Sequence, residues 1–421
     1  MKANSVANKL DSNDRAFHDW YRFVLSFPPH LVREYINKFG LRNGETILDP
    51  FCGTGTTLVE AKRLGIRTIG FEANPMAHFA SSVKVDWDIN PNALLEHVSR
   101  VAESAIDILA VHSVNQLRTL PEEAFKLLLK DSISQLPLHK SLVLLEQLRS
   151  LKNDRLFRHE LLALAKTLVF SASNLHFGPE VGVTRNKKND APVIEHWLTE
   201  ATNIATDICS VENAVTPPAI VHLADSREPG KFLQPNSIDA VFTSPPYPNE
   251  KDYTRTTRLE SVVLGFINNK VGLRALKKGL MRSNTRNVYK GDNDDALVSG
   301  HKEIQAISES IEKRRIELGK TSGFERLYSK VTRLYFGGMA RHLAELRPFL
   351  KTGAYLGYVV GDQASYLQVM IRTGQLLSDI AQSLGYELVS IDLFRTRLAT
   401  ATRQQLREEV VVLRWHGNKI K

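Results

Sequence analysis

Along this chain the hydrophobic positions change period several times, and each change marks an element. The stretch Glu45-Thr-Ile-Leu-Asp-Pro-Phe51 contains a short β-type run that ends in an acid, Asp49. The small-residue turn Cys52-Gly-Thr-Gly-Thr-Thr57 follows, then Leu58 to Leu64 at helical spacing, stopped by Gly65. Ile66 to Phe71 reads as a second strand and also ends in a carboxylate, Glu72, so the segment from Glu45 to Glu72 is a βαβ unit, which predicts a parallel sheet. From about Pro91 to Asp207 the pattern becomes Leu/Ala-rich and helical, interrupted by an expected loop around Phe177 to Gly182. Strand alternation returns at Ala219 to Ala224, running into Asp225, and at Ser237 to Thr243, running into Ser244-Pro-Pro-Tyr247.

A second polar and helical stretch, about Pro248 to Tyr335, contains a mixed-charge helix from His301 to Gly319. Beyond it the spacing predicts a helix at Leu343 to Leu350, a strand at Ala354 to Val360, a helix at Leu376 to Leu384, and strands at Leu388 to Leu393 and Glu409 to Arg414. The resulting division is 15–90 and 216–247 as two halves of a ligand-binding α/β domain, 91–215 as a helical insertion, 248–335 as a basic insertion, and 336–421 as the rest of the sheet. For 421 residues, one core domain with large insertions is an ordinary solution.

Composition sharpens this in three ways. Hydrophobic residues make up 43% and charged residues 24%, which argues against disorder or a fibrous repeat. The two cysteines, Cys52 and Cys209, lack the partners for a disulfide framework or a zinc site, so no metal is expected. No apolar run is long enough to span a membrane and the first residues are polar, which predicts a cytoplasmic protein. The net charge of +9 points to a polyanion only where it clusters. From Val271 to Lys290 it does: Arg274, Lys277, Lys278, Arg282, Arg286 and Lys290 occur without an acid, with Tyr253, Phe266 and Tyr289 interleaved across the wider insertion. A second acid-free run is Arg395, Arg397, Arg403 and Arg407.

The turn Asp49-Pro-Phe-Cys-Gly-Thr-Gly-Thr-Thr57 sits between a strand and a helix, where glycines let main-chain N–H groups approach a ligand. It lacks the Lys of a phosphate-binding P-loop and the third glycine of a dinucleotide fingerprint. A nucleoside without an anchored pyrophosphate remains, with Glu72 placed to accept from ribose hydroxyls, and S-adenosylmethionine fits that description.

These residues resemble a known family. Asp49 to Thr57 is similar to the cofactor-binding motif of the amino-group DNA methyltransferases, and Thr243-Ser-Pro-Pro-Tyr247 is similar to their catalytic motif. Phe27 to Ile36 resembles the family segment that closes the methionine side of the pocket. The resemblance implies a Rossmann-like class I methyltransferase fold, α/β and mostly parallel with an antiparallel last strand. It implies S-adenosylmethionine at Phe27, Asp49, Pro50, Phe51, Gly53, Gly55, Thr56, Thr57, Glu72, Asn74 and Asp225, and catalysis at Ser244, Pro245, Pro246 and Tyr247. Double-stranded DNA is the implied partner, which would associate the protein with the nucleoid. A cognate restriction endonuclease or defence-system proteins are further partners in that setting.

The chemistry asks for the second motif on its own account. An exocyclic base amine is a poor nucleophile, so the site must favour pyramidalisation of its nitrogen, and two acceptors converging on its N–H bonds do so: the Ser244 hydroxyl and the Pro245 carbonyl. Prolines 245 and 246 stiffen the loop, and Tyr247 offers a face to a base that has left the duplex. Carbon-5 methylation would need a thiolate that neither cysteine is placed to supply. Ser at 244 favours cytosine N4 within the family. Adenine N6, an RNA guanine N2 target, another methyl acceptor or a non-catalytic nucleic-acid-binding subunit are the alternatives.

Overall fold

The computed structural model describes residues 10–22, 26–111, 117–178, 180–212, 214, 216–249, 251–398 and 404–417. Its centre is a seven-stranded sheet built from β1 (Thr46–Asp49), β2 (Arg67–Glu72), β5 (Ala219–Leu223), β6 (Ile238–Thr243), β7 (Leu350–Gly361), β8 (Glu387–Leu398) and β9 (Gln405–Arg414). The order is β5-β2-β1-β6-β7-β9-β8. β5, β2, β1, β6 and β7 run parallel, and β9 is antiparallel to both of its neighbours. This is the expected mostly parallel methyltransferase-type sheet, with its last strand antiparallel as predicted.

The central parallel strands are apolar because both of their faces are covered. All four residues of β1 are buried, which suits its apolar Ile47 and Leu48. The helix Thr56–Arg63 returns the chain to the sheet and ends before Gly65, whose φ of 80° only glycine adopts at no cost. The helix Pro75–Lys84 begins where the Asn74 side chain accepts from the Met76 N–H, with Pro75 at its first position.

The helices Pro91–Val111, Gln135–Ser150, Phe157–Thr167 and Val193–Cys209 fill the expected helical stretch. They share one apolar cluster with Leu58, Val59 and Ala80 on the sheet-flanking helices and with Phe17 and Trp20 near the start of the chain. Two readings of local structure need correction. The loop expected around Phe177 to Gly182 is a two-stranded hairpin, β3 (Leu175–Phe177) with β4 (Val181–Val183). The helix read at Leu343 to Leu350 stops at Leu346, because Pro348 has no N–H to continue it, and Leu350 already opens β7. Among the described residues no helix is long and apolar enough to cross a membrane.

Candidate methyl-transfer site

The strand order reverses between β1 and β6: the chain runs outward from β1 to β2 and β5, then returns to β6 and continues the other way to β7. Open α/β sheets leave a crevice beyond the carboxyl ends of the strands at such a point. A cavity of about 650 Å3 lies there, and it is lined by Pro50, Phe51, Gly53 and Thr56 from one turn and by Ser244, Pro245, Pro246 and Tyr247 from the other. Phe27, Glu72, Asn74 and Asp225 also line it. Two loops almost two hundred residues apart in the chain thus face each other, because β1 and β6 are hydrogen-bonded neighbours, with Leu48 opposite Val241.

The tips of these two strands are joined directly. Thr243 Oγ1 donates to Asp49 Oδ1 at 2.5 Å, and the same carboxylate oxygen accepts from the Phe51 N–H at 3.2 Å. Asp49 is fully buried, and burial pushes its carboxyl up to about 6. Its other oxygen has no partner among the described residues. Asp49 therefore shapes the turn from below and does not line the cavity. Thr57 is also beneath the surface, its hydroxyl donating to the Phe242 carbonyl at 3.3 Å. Gly55 lies behind the cavity wall as well, at a φ of 87°, where an added Cβ would stand 3.1 Å from Ser81 Cβ.

Glu72 holds the turn from the side. Its Oε2 accepts from the Gly53 N–H at 2.9 Å and its Oε1 from the Asn74 N–H at 2.7 Å, while burial raises its carboxyl to about 7. Each oxygen keeps a lone pair for a ligand hydroxyl. Asn74 is engaged as a helix cap and donates to Thr257 Oγ1 at 3.1 Å. Asp225 is paired with Arg227, which also reaches Asp294. Phe27 stands edge-on to Phe242, with ring centroids 5.8 Å apart.

On the opposite wall, Ser244 Oγ donates to the Val359 carbonyl at 3.0 Å. Its proton is thereby directed into the sheet, which leaves the hydroxyl lone pairs as acceptors. Tyr247 is half-buried, and its phenol is pushed far above the ordinary value by burial and then by the charge of Glu408.

The basic run divides in two. Arg274, Lys278, Arg286 and Lys290 are exposed. Arg282, expected among the phosphate-binding cations, is instead buried, bonded to Asp292 and to the carbonyls of Lys277, Leu280 and Lys278. Lys277 pairs at 2.7 Å with the nearly buried Asp252. The run has no acid within it, but these two acids come from either side of it. Of the interleaved aromatics, Phe266 packs on Phe79 in the core and Tyr253 lines the cavity. Tyr289 lies under Arg274, Lys278 and Arg282 at 5.3 to 5.9 Å.

Sequence reasoning missed part of the lining altogether. Met281, Ser283, Asn284 and Asn287 reach the cavity from the insertion, and Gln363, Arg395, Arg397 and Glu408 reach it from the far ends of β7, β8 and β9. The arginines had a signal in their acid-free run, although Arg403 of that run lies outside the described residues. The Ser/Asn positions have no charge or motif to mark them.

With this geometry in place, comparison with known proteins adds an independent line. Residues 4–81 match the family model described as DNA methylase, N6_N4_Mtase. The chain is 28% identical to the Type II methyltransferase M.BsoBI of Geobacillus stearothermophilus over 438 aligned positions, which cover 96% of this chain and 85% of that protein. It is 23% identical to the Type II methyltransferase M.AvaI of Nostoc sp. (strain PCC 7120 / SAG 25.82 / UTEX 2576), over 94% of this chain and 86% of the relative. A short stretch of 45 residues, 11% of this chain and 13% of the relative, is 49% identical to a tRNA (guanine(10)-N2)-dimethyltransferase of Methanothermobacter thermautotrophicus (strain ATCC 29096 / DSM 1053 / JCM 10044 / NBRC 100330 / Delta H).

Proposed function

Starting from its likeness to the amino-group DNA methyltransferases, we propose that this chain transfers a methyl group from S-adenosylmethionine to cytosine N4 in double-stranded DNA, on a base extruded from the duplex. The observation that carries the reading is the single crevice shared by the 50–56 turn and the Ser244–Tyr247 turn. Near-complete alignment with two Type II methyltransferases supports DNA over RNA as the substrate, since the tRNA-modifying relative matches only a short segment.

Bound S-adenosylmethionine would supply an electrophilic sulfonium methyl group. The residues available to hold it are Glu72, whose free lone pairs suit ribose hydroxyls, the main chain around Gly53, and the Phe27 and Phe51 rings. A cavity of this volume falls within the ordinary range for sites that take a cofactor. Ser244 and the Pro245 carbonyl accept from the two N–H bonds of the target amine and favour its pyramidal form, and Tyr247 replaces part of the stacking the base has lost. The donor's methyl carbon would be open to in-line attack by the amine nitrogen with loss of the carbon–sulfur bond, and the amine proton would pass to solvent. No covalent enzyme intermediate is involved, which agrees with Cys52 being buried with its thiol pushed well above the ordinary value by burial.

The division of the chain into cofactor-binding, catalytic and inserted regions belongs to the same proposal, with 248–335 as the target-recognition region. The exposed Arg274, Lys278, Arg286 and Lys290 would meet phosphates, which position a protein on DNA without specifying sequence. The test is transfer of tritiated methyl from S-adenosylmethionine to duplex DNA and to RNA, with nucleosides identified by mass spectrometry. N4-methylcytosine in DNA is expected. Label in RNA only, or N6-methyladenine only, would overturn the respective assignment.

A further inference from the structure

Beyond the motif residues, one buried charged group in the crevice has no part in the transfer described above. β7, β9 and β8 extend past β6, and their register sets Gly361 beside Glu408 and Glu408 beside Arg395. This cross-strand row runs from the Tyr247 loop outward, away from the 50–56 turn, because β9 and β8 lie on the opposite side of β6 and β7 from β1. A Cβ added to Gly361 would stand 3.0 Å from Tyr247 Cε2 and 3.2 Å from Glu408 Cγ, so the tyrosine ring and the Glu408 stem pack on the same small residue. Tyr247, Glu408 and Arg395 line one cavity, in the half expected to hold the base.

Glu408 keeps 10% of its side chain exposed and Arg395 21%, and Arg395 Nε meets Glu408 Oε2 at 2.6 Å. Through its Nε the guanidinium is held by the carboxylate; its two terminal nitrogens donate to nothing among the described residues. The neighbouring Arg397 differs: it is 42% exposed, 3.3 Å from Glu408 Oε1, and its Nη2 reaches the Asp362 carbonyl at 3.5 Å. Arg395 is thus a planar, oriented pair of donors beside the face on which a base would stack.

We propose that Arg395, oriented by Glu408, is a specificity-determining residue that reads the ring edge of the extruded base. This rests on the base-methylating function proposed above. With its exocyclic amine held by Ser244 and Pro245, cytosine presents two adjacent acceptors, N3 and O2, which match two guanidinium donors. Adenine in the same position presents N1 and then a C–H, so one buried donor would be left unmatched at a cost. The Glu408 charge offsets the desolvation of the guanidinium and also excludes a second carboxylate-like acceptor from the pocket.

The experiment uses the full chain and a target sequence located by methylation-sensitive sequencing of DNA from cells that express it. Duplexes carrying cytosine or adenine at the methylated position are compared as substrates. Arg395→Gln should lower kcat/KM on the cytosine duplex by roughly 30-fold or more while changing the adenine duplex by about threefold at most, which narrows the preference. Arg395→Lys should fall between, since a point donor cannot span both acceptors. Thermal unfolding of each variant reports on the fold; where Arg395→Gln does not fold, Glu408→Gln should narrow the same ratio by releasing the guanidinium. Equal losses on both duplexes, or an unchanged ratio, would overturn the assignment, and equal losses with a shallower salt dependence of binding would put Arg395 on a phosphate instead. Wild-type protein that labels neither duplex, or only adenine, would instead fail the proposed function, and this inference with it.

Discussion

The two walls of the crevice are built by different means. On the β1 and β2 side the wall is main chain: a glycine-rich turn held from within by Asp49 and Glu72, whose oxygens are largely taken up by N–H groups and by Thr243. On the β7, β9 and β8 side it is side chain, with Arg395, Arg397 and Glu408 standing on long strands beside Tyr247. A main-chain wall leaves little room for variation in shape and suits a ligand that never changes. A wall of paired charges can be re-aimed by one substitution and suits a ligand that differs between enzymes.

The contrast can be broken most directly at Ser244. Ser244→Ala should lower kcat by about 100-fold, the scale of losing one preorganised polar contact to a reacting group, with S-adenosylmethionine binding retained in a direct binding assay. Tyr247→Ala should cost a comparable or smaller factor, consistent with the ~1–3 kcal/mol of a base–aromatic stack. A variant at Ser244 with unchanged rate would remove it from the chemistry.

Gly361→Ala tests whether the side-chain wall is tightly fitted. The new methyl would press on Tyr247 and Glu408, and a loss of about tenfold in kcat/KM on DNA is expected, with donor affinity unaltered. The main-chain wall is tested by pH. Burial raises the Glu72 carboxyl to about 7, so ionisation above that pH makes it a better acceptor, and donor binding should tighten by roughly tenfold from pH 6 to pH 8. Stability runs the other way: the raised folded value favours the protonated fold, so the contribution of Glu72 is full below pH 4.5 and is lost as pH rises through about 7. Glu72→Gln should flatten both profiles, which titration calorimetry and thermal unfolding would check.

Smaller effects separate the two halves of the basic run. Neutralising Arg274, Lys278, Arg286 or Lys290 should each reduce the salt slope of DNA binding by about 0.9, whereas Arg282→Gln should lower the unfolding temperature because it strands Asp292. The smallest expected effect is at Cys209: it is exposed, and alkylating it should leave transfer unchanged, as mass spectrometry paired with the methyl-transfer assay would record.

The same contrast explains what could be read from the sequence. β1, its turn and β6 were legible because such turns demand specific residues: Gly at positive φ, Pro at 245 and 246, carboxylates at strand ends. Periodicity found every strand of the large sheet. It failed at Leu350, where a proline-broken helix and the next strand are both apolar, and at the β3–β4 hairpin, whose strands are only three residues long. Charge was the least legible property. A run such as 271–290 looks free of acids until the fold brings Asp252 and Asp292 to it. Pocket residues such as Asn284 and Asn287 carry no one-dimensional signature, since only the folded insertion turns them toward the crevice.

The hydroxyl of Thr243 donates a hydrogen bond to Asp49 across two adjacent strands. The two strand tips beneath the crevice are therefore held at strand spacing, about 4.8 Å, whatever the lengths of the loops above them. Insertions can grow or shrink at the rim while that span stays constant, much as a lathe keeps its bed when the tooling is changed.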